Sequence, residues 1–216
     1  AGETGAFVGA TGAGKTSVIN LIARSYEFQK GSIEIDNHSI RDYTLTYLRK
    51  NVGIVLQDVF LFSGSVLDNI TLRNNSIPKE KVIEAAKLVG AHEFIMRLPG
   101  DYDFNVRERG AMLSVGQRQL LAFIRAYVYN PSILILDEAT SSVDTESETL
   151  IQQAIDVITK GRTSIIIAHR LATIQNADKI FVLDRGKLIE SGNHRELMNR
   201  GGEYKKLVDL QFSEVE

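Results

Sequence analysis

Short apolar segments alternate along the chain with segments in which apolar residues recur at helical spacing. Helical spacing is clearest after residue 15, over 78–90 and over 114–129. Largely apolar runs, which are typical of strands buried in a sheet, occupy residues 6–8, 52–56, 133–136, 163–168 and 179–183. This alternation predicts an α/β fold with a mainly parallel central sheet flanked by helices.

The stretch between residues 61 and 132 has no convincing strand pattern. It contains a helical segment with Pro78 near its start and Gly90 at its end, which are favoured positions for these residues at helix termini. A second helix is predicted through Glu93 to Leu98, and the last helix of the stretch is predicted to begin near Ser114. We therefore predict a single domain over residues 1–216, with a sheet core formed by 1–60 and 132–216 and an inserted α-helical subdomain over 61–131.

Two further segments predict strands that lead into turns. Residues 31–37 alternate apolar and polar positions and end in an Asp-Asn pair, so they predict a half-exposed strand that closes in a turn. Residues 179–190 predict a β-hairpin around an Asp-Arg-Gly-Lys turn. Helices are predicted over 194–200 and 203–210.

Composition limits the classes of protein that need to be considered. The chain has 216 residues with 44% hydrophobic residues, which is enough for a sizeable buried core. Its 25 basic and 27 acidic residues give a formal charge of -2, so nucleic acid is not expected as the main partner. It has no cysteine, which excludes disulfides and thiolate metal sites. No apolar run approaches the length of a membrane span, and we expect this chain to be soluble.

A glycine-rich segment follows the first apolar run and leads into a helix. Its residues are Gly9, Ala10, Thr11, Gly12, Ala13, Gly14, Lys15, Thr16 and Ser17. Glycines let backbone N–H groups converge on phosphate oxygens, and the helix start that follows favours anions. Lys15 would then contact the β- and γ-phosphates, and the Thr16 hydroxyl would bind Mg²⁺. The alternative is an ordinary strand-to-helix turn with Lys15 in solvent.

Polar residues follow three predicted strands at the end where ligands bind in open α/β sheets. Asp137 would hold Mg²⁺ through water, and Glu138 would orient or deprotonate an attacking water. His169 would bond the γ-phosphate, and Gln57 is a candidate contact for metal or water. Taken singly, the histidine and the amide are each also typical of ordinary strand ends and surfaces. As a set with the glycine-rich loop, these residues favour hydrolysis of a phosphoanhydride bond.

The order of these motifs resembles the nucleotide-binding domain of an ABC transporter, over practically the whole chain. Gln57 resembles the Q-loop glutamine of that family, residues 133–138 its Walker B strand, and His169 its switch histidine. The residues that resemble the signature motif of the family are Leu113, Ser114, Val115, Gly116 and Gln117. Those that resemble its D-loop are Ser141, Ser142, Val143 and Asp144. The resemblance implies a P-loop NTPase fold, with ATP and Mg²⁺ as cofactors and with Thr16, Gln57 and Asp137 as the magnesium site.

The resemblance also implies partners. Two such domains would associate head to tail, as a homodimer or a heterodimer, and would enclose two ATP molecules. The signature residues would then act in trans on the partner's ATP. Residues 60–70 and 106–110 resemble exporter domains, in which the second segment is the X-loop. The implied setting is the cytoplasmic face of the cell membrane, with a membrane-spanning domain on the same polypeptide.

The sequence departs from the family pattern at two places. Val115 stands where the signature usually has glycine, which is compatible either with an active site of ordinary kind or with a heteromeric exporter that has two unequal ATP sites. The N-terminal edge strands and the adenine-stacking aromatic that precede the phosphate loop in the family are missing. We therefore expect that the chain has been cut from something longer, the alternative being simple removal of an initiator methionine before Ala1.

Other functions remain open on the sequence alone. An ATPase of the same family could act as a soluble clamp on nucleic acid or ribosomes, although such relatives carry long insertions and basic faces. A nucleotide-gated regulatory domain with little turnover is a third alternative. The presence of both Glu138 and His169 favours an active ATPase.

Overall fold

The structure, a computed structural model, describes residues 1–137, 145–168 and 170–213. Its strands are β1 (Thr4–Val8), β2 (Glu34–Ile35), β3 (His38–Ser39), β4 (Val52–Val55), β5 (Ile133–Asp137), β6 (Thr163–Ile167), β7 (Lys179–Asp184) and β8 (Lys187–Gly192). Six of them form one sheet in the order β4-β5-β6-β1-β7-β8, and β2 pairs with β3. Strand β1 runs parallel to β6 and β7, and β5 parallel to β6, so the mainly parallel sheet is confirmed.

Helices connect these strands. They are α1 (Lys15–Ile22), α2 (Leu45–Asn51), α3 (Val66–Thr71), α4 (Lys79–Leu88), α5 (His92–Met96), α6 (Val115–Tyr129), α7 (Thr145–Thr159), α8 (Leu171–Gln175), α9 (His194–Arg200) and α10 (Glu203–Ser213). The helices predicted near 78–90, from Ser114 and at the C-terminal end of the chain are confirmed. Helix α6 ends at Asn130, whose left-handed backbone (φ 47°) stops the helix before Pro131.

The chain divides into two compact units. The first comprises Ala1–Ile54, Ser132–Ala139 and Gly161–Glu216, and the second Val55–Pro131 and Thr140–Lys160. The first unit contains β1, β5, β6, β7 and β8, and its core includes Ile19 of α1 packed with Ile135 and Ile167 of the sheet. The second unit is built from helices, with α6 packed against α3, α4 and α7. The subdomain boundaries at residues 60 and 131 stay a prediction.

The segment 31–37 differs from its predicted form. Only Glu34–Ile35 is strand, because Asp36 (φ 51°) and Asn37 (φ 63°) adopt left-handed conformations and return the chain as β3. Such a pair of left-handed residues forms the tight turn of a two-residue hairpin. The predicted turn is therefore present, but the ladder on either side of it is two residues long.

Helix α3 was not predicted from the apolar pattern. Ser65 caps it by accepting a hydrogen bond from the backbone N–H of Asp68, while the Asp68 side chain accepts one from the N–H of Ser65. This reciprocal pair satisfies two N–H groups at the start of a helix of only six residues. Across the residues that the structure describes, no helix is both long enough and apolar enough to cross a bilayer.

Candidate functional site

The glycine-rich loop lies between the end of β1 and the start of α1. Gly9, Gly12 and Gly14 have φ values of 146°, 82° and 104°, a backbone region that side-chain-bearing residues rarely adopt. Gly14 is the N-cap of α1 and has no side chain to cap the helix. The first N–H groups of α1 therefore lack both an intrahelical acceptor and a side-chain cap, and they remain available to an anion.

Lys15 turns its side chain back over this loop. Its Nζ donates hydrogen bonds to the carbonyl oxygens of Gly9 (2.6 Å) and Ala10 (3.1 Å). The residue is only 7% exposed, and burial lowers the pKa of the ammonium group, while the charge of Asp137 raises it in part. The loop thus holds a positive charge at its centre, where phosphate oxygens would approach the backbone N–H groups.

The sheet register brings the carboxyl ends of three strands to one edge. Ile167 of β6 lies opposite both Phe7 of β1 and Asp137 of β5. Asp137 is half-buried at the end of its strand, and its charge acts on the ammonium group of Lys15. The first unit therefore brings together the loop, Lys15 and Asp137, while Thr16 and Ser17 are exposed in the first turn of α1.

The remaining predicted site residues belong to the second unit or lie outside the described residues. Gln57 is exposed, follows β4 and belongs to the second unit, as do the signature residues 113–117. Several predicted residues lie outside the part of the chain that the structure describes: Glu138, Ser141, Ser142, Val143, Asp144 and His169. Their roles stay predictions.

The signature residues form the start of α6. The Ser114 hydroxyl accepts a hydrogen bond from the backbone N–H of Gln117 (3.1 Å), and Gln117 Oε1 accepts one from the N–H of Ser114 (3.0 Å). Leu113 and Gly116 are buried, whereas Val115 is 40% exposed at the first helical position. The capping pair leaves the N–H groups of Val115 and Gly116 without an acceptor inside the helix.

Replacing Ser114 by alanine is expected to lower the free energy of unfolding by about 1 kcal/mol, because α6 loses its cap. Ser65→Ala is the matched control, since Ser65 caps α3 in the same unit with the same reciprocal bonds. Thermal unfolding of the two variants measures the effect; an unchanged unfolding free energy of the Ser114 variant would contradict its capping role.

A strand, a glycine-rich loop with a buried lysine and a helix, at the carboxyl edge of a mainly parallel sheet, define a P-loop nucleoside triphosphatase. The comparison with known families is more specific. The family model of the ABC transporter matches residues 1–141. The chain belongs to the ABC transporter family, and it carries the ATP-binding domain of that family.

Individual relatives agree with this assignment. A protein of Staphylococcus aureus (strain NCTC 8325 / PS 47) named as a multidrug export ATP-binding/permease protein is 51% identical over 97% of this chain and 36% of its own length. The ABC transporter ATP-binding protein YknV of Bacillus subtilis (strain 168) is 51% identical over 99% of this chain and 35% of its length. The chain therefore spans about a third of these relatives.

A solved structure gives the same fold. A bacterial Atm1-family ABC exporter with ATP bound matches with a TM-score of 0.90 and 42% identity, covering 98% of this chain and 37% of that chain. The predicted P-loop NTPase fold of an ABC domain is thereby confirmed.

Proposed function

We propose that this chain hydrolyses ATP and that the energy drives export of a substrate through a membrane-spanning domain. The observation that carries the proposal is the buried ammonium group of Lys15, held by the Gly9 and Ala10 carbonyls in a loop of left-handed glycines beside Asp137. Burying a cation costs free energy of folding unless an anion compensates its charge. The triphosphate of ATP supplies that anion at this position.

Mg²⁺ is the metal that fits the proposed ligands. A hydroxyl from Thr16, an amide oxygen from Gln57 and a carboxylate from Asp137 are the hard oxygen donors that Mg²⁺ prefers, and it commonly uses only one or two carboxylates together with substrate phosphates. The ion would neutralise charge between the β- and γ-phosphates.

Each remaining residue has a proposed task in hydrolysis. Glu138 accepts a proton from the attacking water, and His169 contacts the γ-phosphate and responds to its loss. Residues Ser141, Ser142, Val143 and Asp144 correspond to the D-loop of the family. Gln57 contacts the metal or the attacking water.

The signature residues act on the ATP of a second chain. The free N–H groups at the start of α6 suit an anion, and α6 is 15 residues long, so its dipole favours negative charge at this end. In a head-to-tail pair, each of the two ATP molecules would lie between the phosphate loop of one chain and the signature helix of the other. ATP would then hold the pair together until hydrolysis.

The membrane partner is proposed from the relatives. The Staphylococcus protein is by name both ATP-binding protein and permease, and the present chain corresponds to 36% of its length. We place the working chain at the cytoplasmic face of the membrane, attached to a membrane-spanning domain of the same polypeptide. The exposed side chains of Phe60 and Phe62, together with Arg107, Glu108 and Arg109, provide a surface in the second unit for that contact.

Steady-state turnover tests the proposal. The chain is expected to release phosphate from ATP in the presence of Mg²⁺, and chelation of the metal by EDTA is expected to stop release because the phosphate charge is no longer neutralised. ATP binding without measurable phosphate release, with or without a second chain, would favour a regulatory domain instead.

A further inference from the structure

The turn between β7 and β8 lies directly against the phosphate loop. The backbone N–H of Gly186 donates a hydrogen bond to the carbonyl oxygen of Ala13 (2.9 Å). A Cβ atom at Gly14 would be in van der Waals contact with the Cα of Gly186, at 3.4 Å, so the turn lies close beside this residue. The turn thus contacts the loop at the residues that immediately precede Lys15.

The other end of the loop meets the same hairpin. A Cβ atom at Gly9 would overlap the carbonyl oxygen of Leu183, so glycine is required here by close approach as well as by its φ of 146°. The pairing of β7 with β8 shifts register between Val182 and Leu183. Irregularities of this kind change the direction of a strand and are frequent beside active sites.

These contacts enclose the loop from one side. The carbonyl of Leu183 lies against Gly9, the first residue of the loop, and the N–H of Gly186 bonds the carbonyl of Ala13 near the end of the loop. The Lys15 ammonium group binds the carbonyls of Gly9 and Ala10 from within the loop. The turn itself is set by Arg185 (φ 46°) and Gly186 (φ 75°), a left-handed pair that fixes a two-residue hairpin. The turn therefore fixes the position of the Gly186 N–H, and this N–H holds the Ala13 carbonyl of the loop.

We propose that the β7–β8 turn is a positioning element of the nucleotide site, with the Gly186 N–H holding the phosphate loop in the shape that binds β- and γ-phosphates. It acts through the loop and does not touch the nucleotide. This inference rests on the proposed ATP site. Its consequence is that a change of turn length will impair phosphate binding even where the hairpin itself still forms.

The decisive variant inserts one glycine between Arg185 and Gly186. It converts the two-residue turn into a longer one and moves the Gly186 N–H away from Ala13. We expect the dissociation constants of ATP and ADP to rise about tenfold or more, since a misplaced loop no longer aligns its N–H groups. AMP has no β-phosphate, and its dissociation constant is expected to change less than about twofold.

A matched control exists in the same unit. Asp36 and Asn37 form another left-handed two-residue turn, between β2 and β3. Inserting one glycine between them changes a hairpin of the same kind away from the phosphate loop, and ATP affinity is expected to stay unchanged. A role in stability alone would lower the unfolding temperature of both variants and would not separate ATP from AMP.

A measurement on the unaltered chain tests the same role without requiring any variant to fold. Hydrogen exchange of the Gly186 amide is expected to slow on addition of ATP by a larger factor than that of the Ile40 amide, which donates to Ile33 in the same unit. Equal slowing of the two amides, or equal ATP affinity in both insertion variants, would overturn the positioning role. Failure of the unaltered chain to bind ATP would instead overturn the proposed function, and this inference with it.

Discussion

Lys15→Met is expected to reduce ATP turnover at least about a hundredfold, because the substitution removes the cation aligned with the phosphates. The methionine side chain has similar length and fills the same buried position without charge. ATP-dependent stabilisation against heat is expected to disappear in the same variant. Phosphate release and thermal unfolding with and without ATP measure both effects.

The same variant is expected to keep its fold. Burial lowers the pKa of Lys15 below the usual 10.5, so the charged form is disfavoured in the folded state. As pH rises through the lowered pKa towards 10.5, the unfolded chain retains this proton more than the folded chain, and stability from this group increases. Lys15→Met removes that increase, and because it also leaves the Gly9 and Ala10 carbonyls without their donor, the unfolding free energy at neutral pH is expected to fall by about 1–3 kcal/mol without loss of the fold.

Lys50→Met is the control for this prediction. Lys50 is exposed on α2 in the same unit, so its loss tests removal of a positive charge away from the loop. Turnover of the Lys50 variant is expected to match that of the unaltered chain. If the Lys15 variant kept turnover within about threefold, the loop would not be the phosphate site.

Glu138→Gln is expected to lower hydrolysis at least about a hundredfold while leaving ATP binding intact. Glutamine preserves the size of the side chain but cannot accept the proton of the attacking water. ATP-bound dimers should therefore accumulate, since hydrolysis no longer releases them. Single-turnover hydrolysis and light scattering with ATP measure these two results.

Glu148→Gln provides the comparison, because Glu148 is an exposed carboxylate on α7. It is expected to turn over ATP at the normal rate and to show no trapped dimer. Unchanged hydrolysis in the Glu138 variant would remove Glu138 as the proton acceptor. Lost hydrolysis without a stable dimer would leave the catalytic role in place and contradict the proposal that ATP holds two chains together.

Much of the fold could be predicted because its strands are strongly patterned. The apolar run that ends in Asp137 indicates a central buried strand, and the structure places it in the sheet with its carboxylate near Lys15. The glycine-rich loop could be located from residue types alone, because its backbone conformation excludes most side chains. Local chemistry of this kind is visible in any single sequence.

Two features of the structure could not be predicted from the sequence, for two physical reasons. Helix α3 is too short for its apolar spacing to stand out, although the Ser65-x-x-Asp68 capping pattern was present. The contact of Gly186 with Ala13 joins residues far apart in the chain, so no local pattern reports it. A turn can be predicted at Asp184 to Lys187, but what the turn touches depends on strand order.

The central claim is that the phosphate loop of one chain and the signature helix of another form one ATP site. Mixing Lys15→Met chains with Ser114→Arg chains tests it most directly, because only the mixed dimer would hold one site with both parts intact. Each variant alone is expected to be nearly inactive. In a 1:1 mixture half of the dimers would be mixed, each with one of its two sites intact, so about a quarter of normal turnover should return. No recovery in a mixture shown to contain mixed dimers would contradict the claim.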